Sequence, residues 1–552
     1  MAARKLADSQ QVFETVEQLK REGKRNAVTL AAETLGFDRS TVSTIYHRER
    51  RSRGLDATAA AQADTTTVKA AVVEALRELG LAPASKPALP DIQPVQKLHK
   101  QAYIITGWEI RVKPSEAFID CLTQIAKQID AEMLLTPVWV SDVSFMPEVL
   151  RRNFRLAHSD LRLNRNLAFQ YCPTHALIKY PLNGWRGGKP NETLIIPALG
   201  RQLVTEPSDG DIPRQKITTG SVGRLDADIV NYQHVGEADQ RVFQQRWASV
   251  KNRKLGRQYH QALQFVKPSA LIVEIINDDL FVTRFVTMQE EGVVYDLGWK
   301  YTAGQSAPEP SRPLGLNVGD LHAIHVDPQT FKATLEMIGE LQPQQVLLHD
   351  VFDGAAVNHH ERGRDADLVR FPELEAEVEV TKRVLGQVCD ASNQVIYLAS
   401  NHDDFILKGL LDDPGMWRIN RNYQTALELQ LFRLKHERHP IEKLLDLESF
   451  TNLHYVSDKE MYYVGKVHTA HGHIGINGAR PNFTRAVETF GFYSQGHGHV
   501  PTVLHDGVQV GVTGERNPRY VKGASGWLGA NAVIQPDSSQ QLLPIIHDIW
   551  KK

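Results

Sequence analysis

Gln345-Val346-Leu347-Leu348-His349-Asp350-Val351-Phe352-Asp353-Gly354 decides the fold. Four residues, three of them apolar, read as a short strand buried on both faces, the kind found inside a parallel sheet. The polar run that follows sits where such a strand ends, at the rim where α/β proteins collect their functional groups. Four further segments in the last part of the chain follow strand-like runs in the same way. They are Gly319-Asp320-Leu321-His322, Ser400-Asn401-His402-Asp403, His471-Gly472-His473 and Gly496-His497-Gly498-His499. Asp320 and His322 are two residues apart at a strand end, so both side chains can point to one side. His497 and His499 repeat that spacing. Together the segments supply the oxygen and nitrogen ligands that a pair of divalent ions needs. Mixed carboxylate and imidazole donors suit Mn, Fe or Zn better than Ca or Mg, which favour oxygen alone.

Upstream of this region the chain changes character twice. At 552 residues it is too long for one core, and roughly three or four domains are expected. Residues 1–54 carry eleven Lys or Arg against seven Asp or Glu, leaving −6 for the rest of a chain whose net charge is −2. A basic head on a mildly acidic body suits a nucleic-acid-binding module joined to something else. Helices are expected over 10–25, with Val12, Phe13, Val16 and Leu19 on one face, over 27–35, and over 39–51. The spacing of Ala32, Gly36, Val42 and Ile45 resembles a DNA-binding helix-turn-helix. That resemblance would turn Arg39, Ser40, Ser43, Thr44 and His47 toward a groove and Arg48, Arg50 and Arg51 toward phosphates. A small helical oligomerisation domain with a solvated basic end is the alternative.

Residues 55–100 read as a linker carrying one helix near 67–79 and ending in spaced prolines. Residues 101–310 read as a mixed α/β region, with a strand at 103–106, a helix at 115–129, a strand at 132–140 and a hairpin around Asn277-Asp278-Asp279. The polar turn Thr218-Thr219-Gly220-Ser221 lacks the lysine of a phosphate-binding loop and reads as structural. Arg246, Lys251, Arg253, Lys254 and Arg257, interleaved with Trp247 and Tyr259, fit either a nucleic-acid track or a solvated helix face. Residues 311–552 hold the five segments, with a strand-like run at 462–467 before His471. No apolar run is long enough to span a membrane, and the N-terminus lacks a secretory signal. Cys121, Cys172 and Cys389 have no metal-type spacing and no disulfide framework, which fits a reducing cytoplasm.

In order, spacing and strand context, the five segments resemble the calcineurin-like metallophosphoesterase superfamily over about residues 311–535. The resemblance implies an α/β/β/α sandwich and two divalent ions, Mn first among Mn, Fe, Zn and Mg. One ion would be held by Asp320, His322, Asp350 and His499, the other by Asp350, Asn401, His471 and His497, with Asp350 bridging. It also implies hydrolysis of a phosphate ester with His402 as general acid, its ring held by Asp403, and with Asp353 ordering the loop through backbone hydrogen bonds. His349 departs from the family, which has glycine there, and would narrow the pocket or meet substrate. Asn358, His359 and His360 would line the substrate path. Residues 405–457 form a long, helix-rich insertion that fits a lid, a DNA guide or a dimer surface. Weaker likeness to phage pre-early DNA-transfer proteins implies a DNase acting on DNA during infection, as a homo-oligomer in the host cytoplasm. Two other functions stay open. One is a phosphoesterase for nucleotides or phosphoproteins, and the other a DNA-binding regulator with an inactive fold.

Overall fold

The computed structural model describes residues 2–22, 27–35, 42, 46, 100–109, 112–138, 143, 146–171, 180–182, 192–208, 212–225, 264–357, 373–412, 420–518 and 523–552. The chain divides into two compact units, Met1–Gln96 and Lys97–Lys552. In the first, helices Ala2–Arg21 and Ala27–Leu35 pair. Val12, Phe13 and Val16 close a small core with Ala27, Ala31, Val42 and Tyr46. The Tyr46 hydroxyl donates to Glu17 across this core. The expected DNA-facing residues Arg39, Ser40, Ser43, Thr44, His47, Arg48, Arg50 and Arg51 lie outside the described residues, as do the 67–79 helix and the 246–257 basic run.

The second unit is mixed α/β. Its central sheet has six strands in the order Leu453–Val456, Val395–Leu398, Gln345–Leu348, Gly315–Asn317, Gly529–Ile534, Gln540–Ile545. The first four run parallel, Gly529–Ile534 runs antiparallel to them, and Gln540–Ile545 antiparallel to it in turn. Helices Pro328–Leu341 and Leu374–Ala391 make the crossovers. Asp327 caps the first of them, its side chain accepting from the Thr330 amide at 2.8 Å. Both helices lay Phe331, Met337, Leu385 and Val388 against Leu316, Val346 and Leu348 of the sheet. On the opposite face, Leu347, Ile396 and Leu398 pack against Val464 and Val467 of a second sheet.

That second sheet has ten strands, and it draws on both sides of residue 311. Strands between 462 and 509 form one half, and strands between 161 and 218 the other. Thr502–Leu504 joins the halves by antiparallel pairing with Gln202–Glu206, Val503 opposite Leu203. Its outer surface is covered near Tyr493 by the strongly amphipathic helix Phe483–Phe490 through Ala486 and Val487. The run expected as one strand at 462–467 is instead a hairpin. Tyr462–Val464 pairs antiparallel with Val467–Ala470. Gly465 turns the chain with φ 59°, and a Cβ there would meet Ser538 Oγ at 2.7 Å. Val467–Ala470 is therefore the strand that delivers His471.

A third sheet of five strands contains Ala102–Trp108 and Glu132–Pro137 in parallel, with the hairpin Ser269–Ile275 and Phe281–Thr287 alongside. Helix Glu116–Gln128, capped by Ser115, connects the parallel pair. The Thr218–Ser221 turn is buried, with Gly220 at φ 79°, as a structural turn should be. The 405–457 insertion holds a π-helix Ile406–Leu411 and helices Asn420–His436 and Pro440–Leu444. Among the described residues no helix is long and apolar enough to cross a membrane.

Candidate metal centre

Asp320, His322, Asp350, Asn401 and His402 leave the C-terminal ends of parallel strands in the six-stranded sheet. His471, His497 and His499 leave the ends of Val467–Ala470 and Tyr493–Gln495, which run parallel in the ten-stranded sheet. The groups therefore converge where the two sheets pack face to face. Each chain reversal there is abrupt. His322, Asp350, His497 and His499 all take left-handed backbone conformations, with φ of 47°, 42°, 63° and 53°. Such a conformation costs a non-glycine residue about 1–2 kcal/mol, and it persists only where the surroundings hold it. Four in one cluster mark a site shaped for side-chain placement. Gly496 allows the same turn to pass close by, since a Cβ there would sit 2.0 Å from Asp320 Oδ1.

Three overlapping groups of possible ligands result, one of them His322, Asp353 and His402, and the other two share Asp350. Asp320, His322, Asp350 and His499 bring their donor atoms within 4.8 Å of one another, as do Asp350, His471 and His497. His499 Nε2 lies 2.9 Å from Asp320 Oδ2, and His322 Nε2 lies 3.8 Å from Asp350 Oδ2. On the other side His471 Nε2 is 3.4 Å from Asp350 Oδ2 and 3.0 Å from Asn401 Oδ1. Asp350 thus belongs to both groups, and Asn401 adjoins the second. Asp320 and Asp350 are 0% and 1% exposed, yet Asp320 Oδ1 and Asp350 Oδ1 accept no hydrogen bond from the described residues. A buried carboxylate oxygen without a donor is costly unless a cation completes it. These buried Asp and His groups are close enough to hold metal ions, and their chemistry fits divalent ones.

The electrostatics follow from this crowding. Burial alone would raise the Asp350 carboxyl, but His471, His402 and His322 outweigh it and hold the group well below its usual range. Burial drives His471 down to about 3, which leaves its ring neutral with a free lone pair, the state that ligates. His322 is buried too, and Asp353 overcomes that penalty and raises it to about 9. Asp353 Oδ1 lies 2.9 Å from His322 Nδ1, which leaves Nε2 facing the cluster. Asp353 Oδ2 also accepts from the Ile324 amide at 3.2 Å, the backbone bond expected of it.

Two expected contacts differ. Asp403 does not hold the His402 ring. Its carboxylate accepts from the Tyr397 hydroxyl at 2.6 Å and the Ser400 amide at 3.0 Å, while His402 Nδ1 lies 3.0 Å from the Asp353 carbonyl. Within the tight turn adjacent side chains diverge, so Asp403 ties the turn down and His402 reaches out. Burial raises the Asp403 carboxyl to about 7. His349 is fully buried, not at a pocket wall. Its Nε2 meets Asn317 Oδ1, and Asn317 Nδ2 donates to Ser494 Oγ at 2.8 Å, a chain that links the two sheets behind the Asp/His cluster. Asn358, His359 and His360 lie outside the described residues.

Two contributors, Glu377 and Trp527, carried no sequence signal. Glu377 accepts from the Ala355 and Ala356 amides, both at 2.9 Å, and so fixes the loop after Asp353. Trp527 stands edge-on to His499 with ring centroids 4.0 Å apart. His473 pairs with Asp458 at 3.4 Å, beside His471 rather than among the ligands. His468 packs against Phe490 and Tyr493.

Fold and site define a mixed α/β protein with a buried, divalent-type Asp/His centre at a sheet–sheet junction. The chain is similar to Protein A1 of Escherichia phage T5, at 26% identity over 490 residues that cover 80% of this chain and 81% of that protein. That likeness fits a phage protein. No family model matches the chain, and no solved structure matches it.

Proposed function

We propose that the chain is a binuclear metallophosphoesterase of the calcineurin-like type, and that it hydrolyses phosphodiester bonds in DNA. The observation that carries this reading is Asp350, shared by two ligand groups and left with an unmatched buried oxygen. The layering of helices, six-stranded sheet, ten-stranded sheet and helix around that residue supports the same reading.

Asp320, His322, Asp350 and His499 would hold one divalent ion, and Asp350, Asn401, His471 and His497 the other, with Mn fitting best and Fe, Zn or Mg as substitutes. When bound, the pair supplies Lewis acidity toward the phosphate and a nucleophilic water at neutral pH. Asp353 orients His322. The Asp353 carbonyl holds His402 by Nδ1, so His402 Nε2 is the ring nitrogen left to hand a proton to the departing oxygen. Asp403 fixes the turn that presents Asn401 and His402.

DNA as substrate is supported by the basic residues 1–54 with their helix-turn-helix-like spacing, and by similarity to a phage protein. Action on DNA in the host cytoplasm during infection follows from that choice. A second reading, hydrolysis of small phosphate esters, has one observation in its favour. The cavity of about 1070 Å³ that reaches Ser400 is lined by Asp404, Glu437, Glu442, Glu448, Asp458 and Glu460 against Arg433, Arg438 and Lys459, an acidic balance that does not attract a polyanion.

The test incubates the purified protein and Mn with linear DNA, circular DNA, a cyclic nucleotide and p-nitrophenyl phosphate. DNA degradation abolished by EDTA is the expected outcome. Hydrolysis of the small esters alone would move the function to the second reading, and no hydrolysis with metal bound would favour a DNA-binding regulator.

A further inference from the structure

The Asn420–His436 helix of the insertion is apolar on two faces. Ala426 and Leu429 are buried in the core of the six-stranded sheet, which accounts for one. Tyr423, Leu427, Leu431 and Leu434 form the other, and they are 52%, 39%, 66% and 70% exposed. Intervals of four, four and three residues keep these side chains within an arc of roughly 80° at 3.6 residues per turn. Single exposed leucines are ordinary, whereas a continuous stripe marks a contact surface.

Charge placement says what covers it. Glu428 and Lys435 lie on the same flank of the stripe, three residues before and four after Leu431, and both are exposed. When two copies of a helix pair antiparallel about a two-fold axis, each flank faces the same flank of the other copy, because the symmetry is isologous. With Leu431 near that axis, Glu428 comes opposite Lys435 of the partner subunit, and the reciprocal pair forms as well. Leu427 then packs beside Leu434 of the partner subunit. The stripe is complementary to itself in shape and in charge.

We propose that the Asn420–His436 helix is a homodimer surface, pairing antiparallel with its copy through Tyr423, Leu427, Leu431 and Leu434. This goes beyond the phosphoesterase reading and does not depend on it. Four anchors on a 17-residue helix make a small interface, so association should vary with concentration in the micromolar range.

The experiment is sedimentation velocity on the full chain from about 0.1 to 100 μM, a span that brackets such an affinity. A monomer–dimer equilibrium is expected. Glu428→Lys should weaken it roughly tenfold by setting like charges together twice. Adding Lys435→Glu to that variant should restore the original constant. Circular dichroism checks that these exposed substitutions leave the fold intact. A monomer at all concentrations, or a single swap without effect, overturns the proposal. A double swap that stays as weak as the single one also overturns it, since another segment or another protein would then cover the stripe.

Discussion

Asp350 Oδ2 lies 3.8 Å from His322 Nε2 and 3.4 Å from His471 Nε2, so one carboxylate serves both ligand groups. His402 stands apart from both metal groups that we assign, tethered to a backbone carbonyl. The two residues should therefore fail differently. His402→Ala is expected to lower turnover by about 10²–10⁴-fold, the usual contribution of a general acid, while bound metal is unchanged. Paired assays of DNA hydrolysis and metal content check this, and retained turnover would remove His402 from the mechanism. Gly496→Ala is expected to do the reverse of a surface change. Its Cβ would lie 2.0 Å from Asp320 Oδ1, so metal affinity measured by titration should fall although no ligand is altered. At this scale the clustering of the Asp and His residues was legible because its signal is local: Asp and His two apart at a strand end announce themselves. Partners such as Asp353 for His322, or Asn317 for His349, were not, because tertiary approach chooses them across 31 and 32 residues of sequence.

The turns just past strand ends carry the candidate ligands, and strands are where the two halves of the second unit meet. The junction of Gln202–Glu206 with Thr502–Leu504 is pinned by Asp506, which binds Arg201 and, at 2.7 Å, Lys267. Burial opposes the Asp506 carboxylate, but Arg201 and Lys267 win and lower it to about 2. A carboxyl depressed in the folded state adds stability above its unfolded value, near 3.9, and loses it as pH falls through about 2. The contribution should be about 2 kcal/mol and should vanish across that acid window. Asp506→Asn is expected to cost about 3 kcal/mol or more at neutral pH, because Arg201 is left buried without its counter-charge. Urea unfolding between pH 2 and pH 7 reads both effects, and an unchanged acid slope in the variant would contradict them. Short buried strands such as Gln345–Leu348 were readable as apolar runs. Their partners were not, since Val503 and Leu203 pair across some 300 residues with no local signature. The Gly465 hairpin was hidden by the apolar, aromatic residues on either side of it.

The second unit buries a cluster of acids and imidazoles that we propose cations complete. Divalent ions bound to the folded state alone must stabilise it by mass action. Mn is thus expected to raise the thermal midpoint of the wild-type chain by a few degrees, and EDTA to reverse the rise. The α/β class and the region where Asp and His cluster could be read from the sequence, because buried parallel strands and their polar ends repeat one pattern. The ten-stranded sheet spanning residues 161 to 509 could not, because its two halves read as separate regions. The central claim is a pair of ions sharing Asp350. Metal content by plasma mass spectrometry, after equilibration with Mn and removal of free ion, tests it most directly. Two ions per chain are expected for the wild type, and fewer than one for Asp350→Asn, which loses the negative charge serving both sites. Two ions retained by that variant, or none in the wild type, would contradict the account.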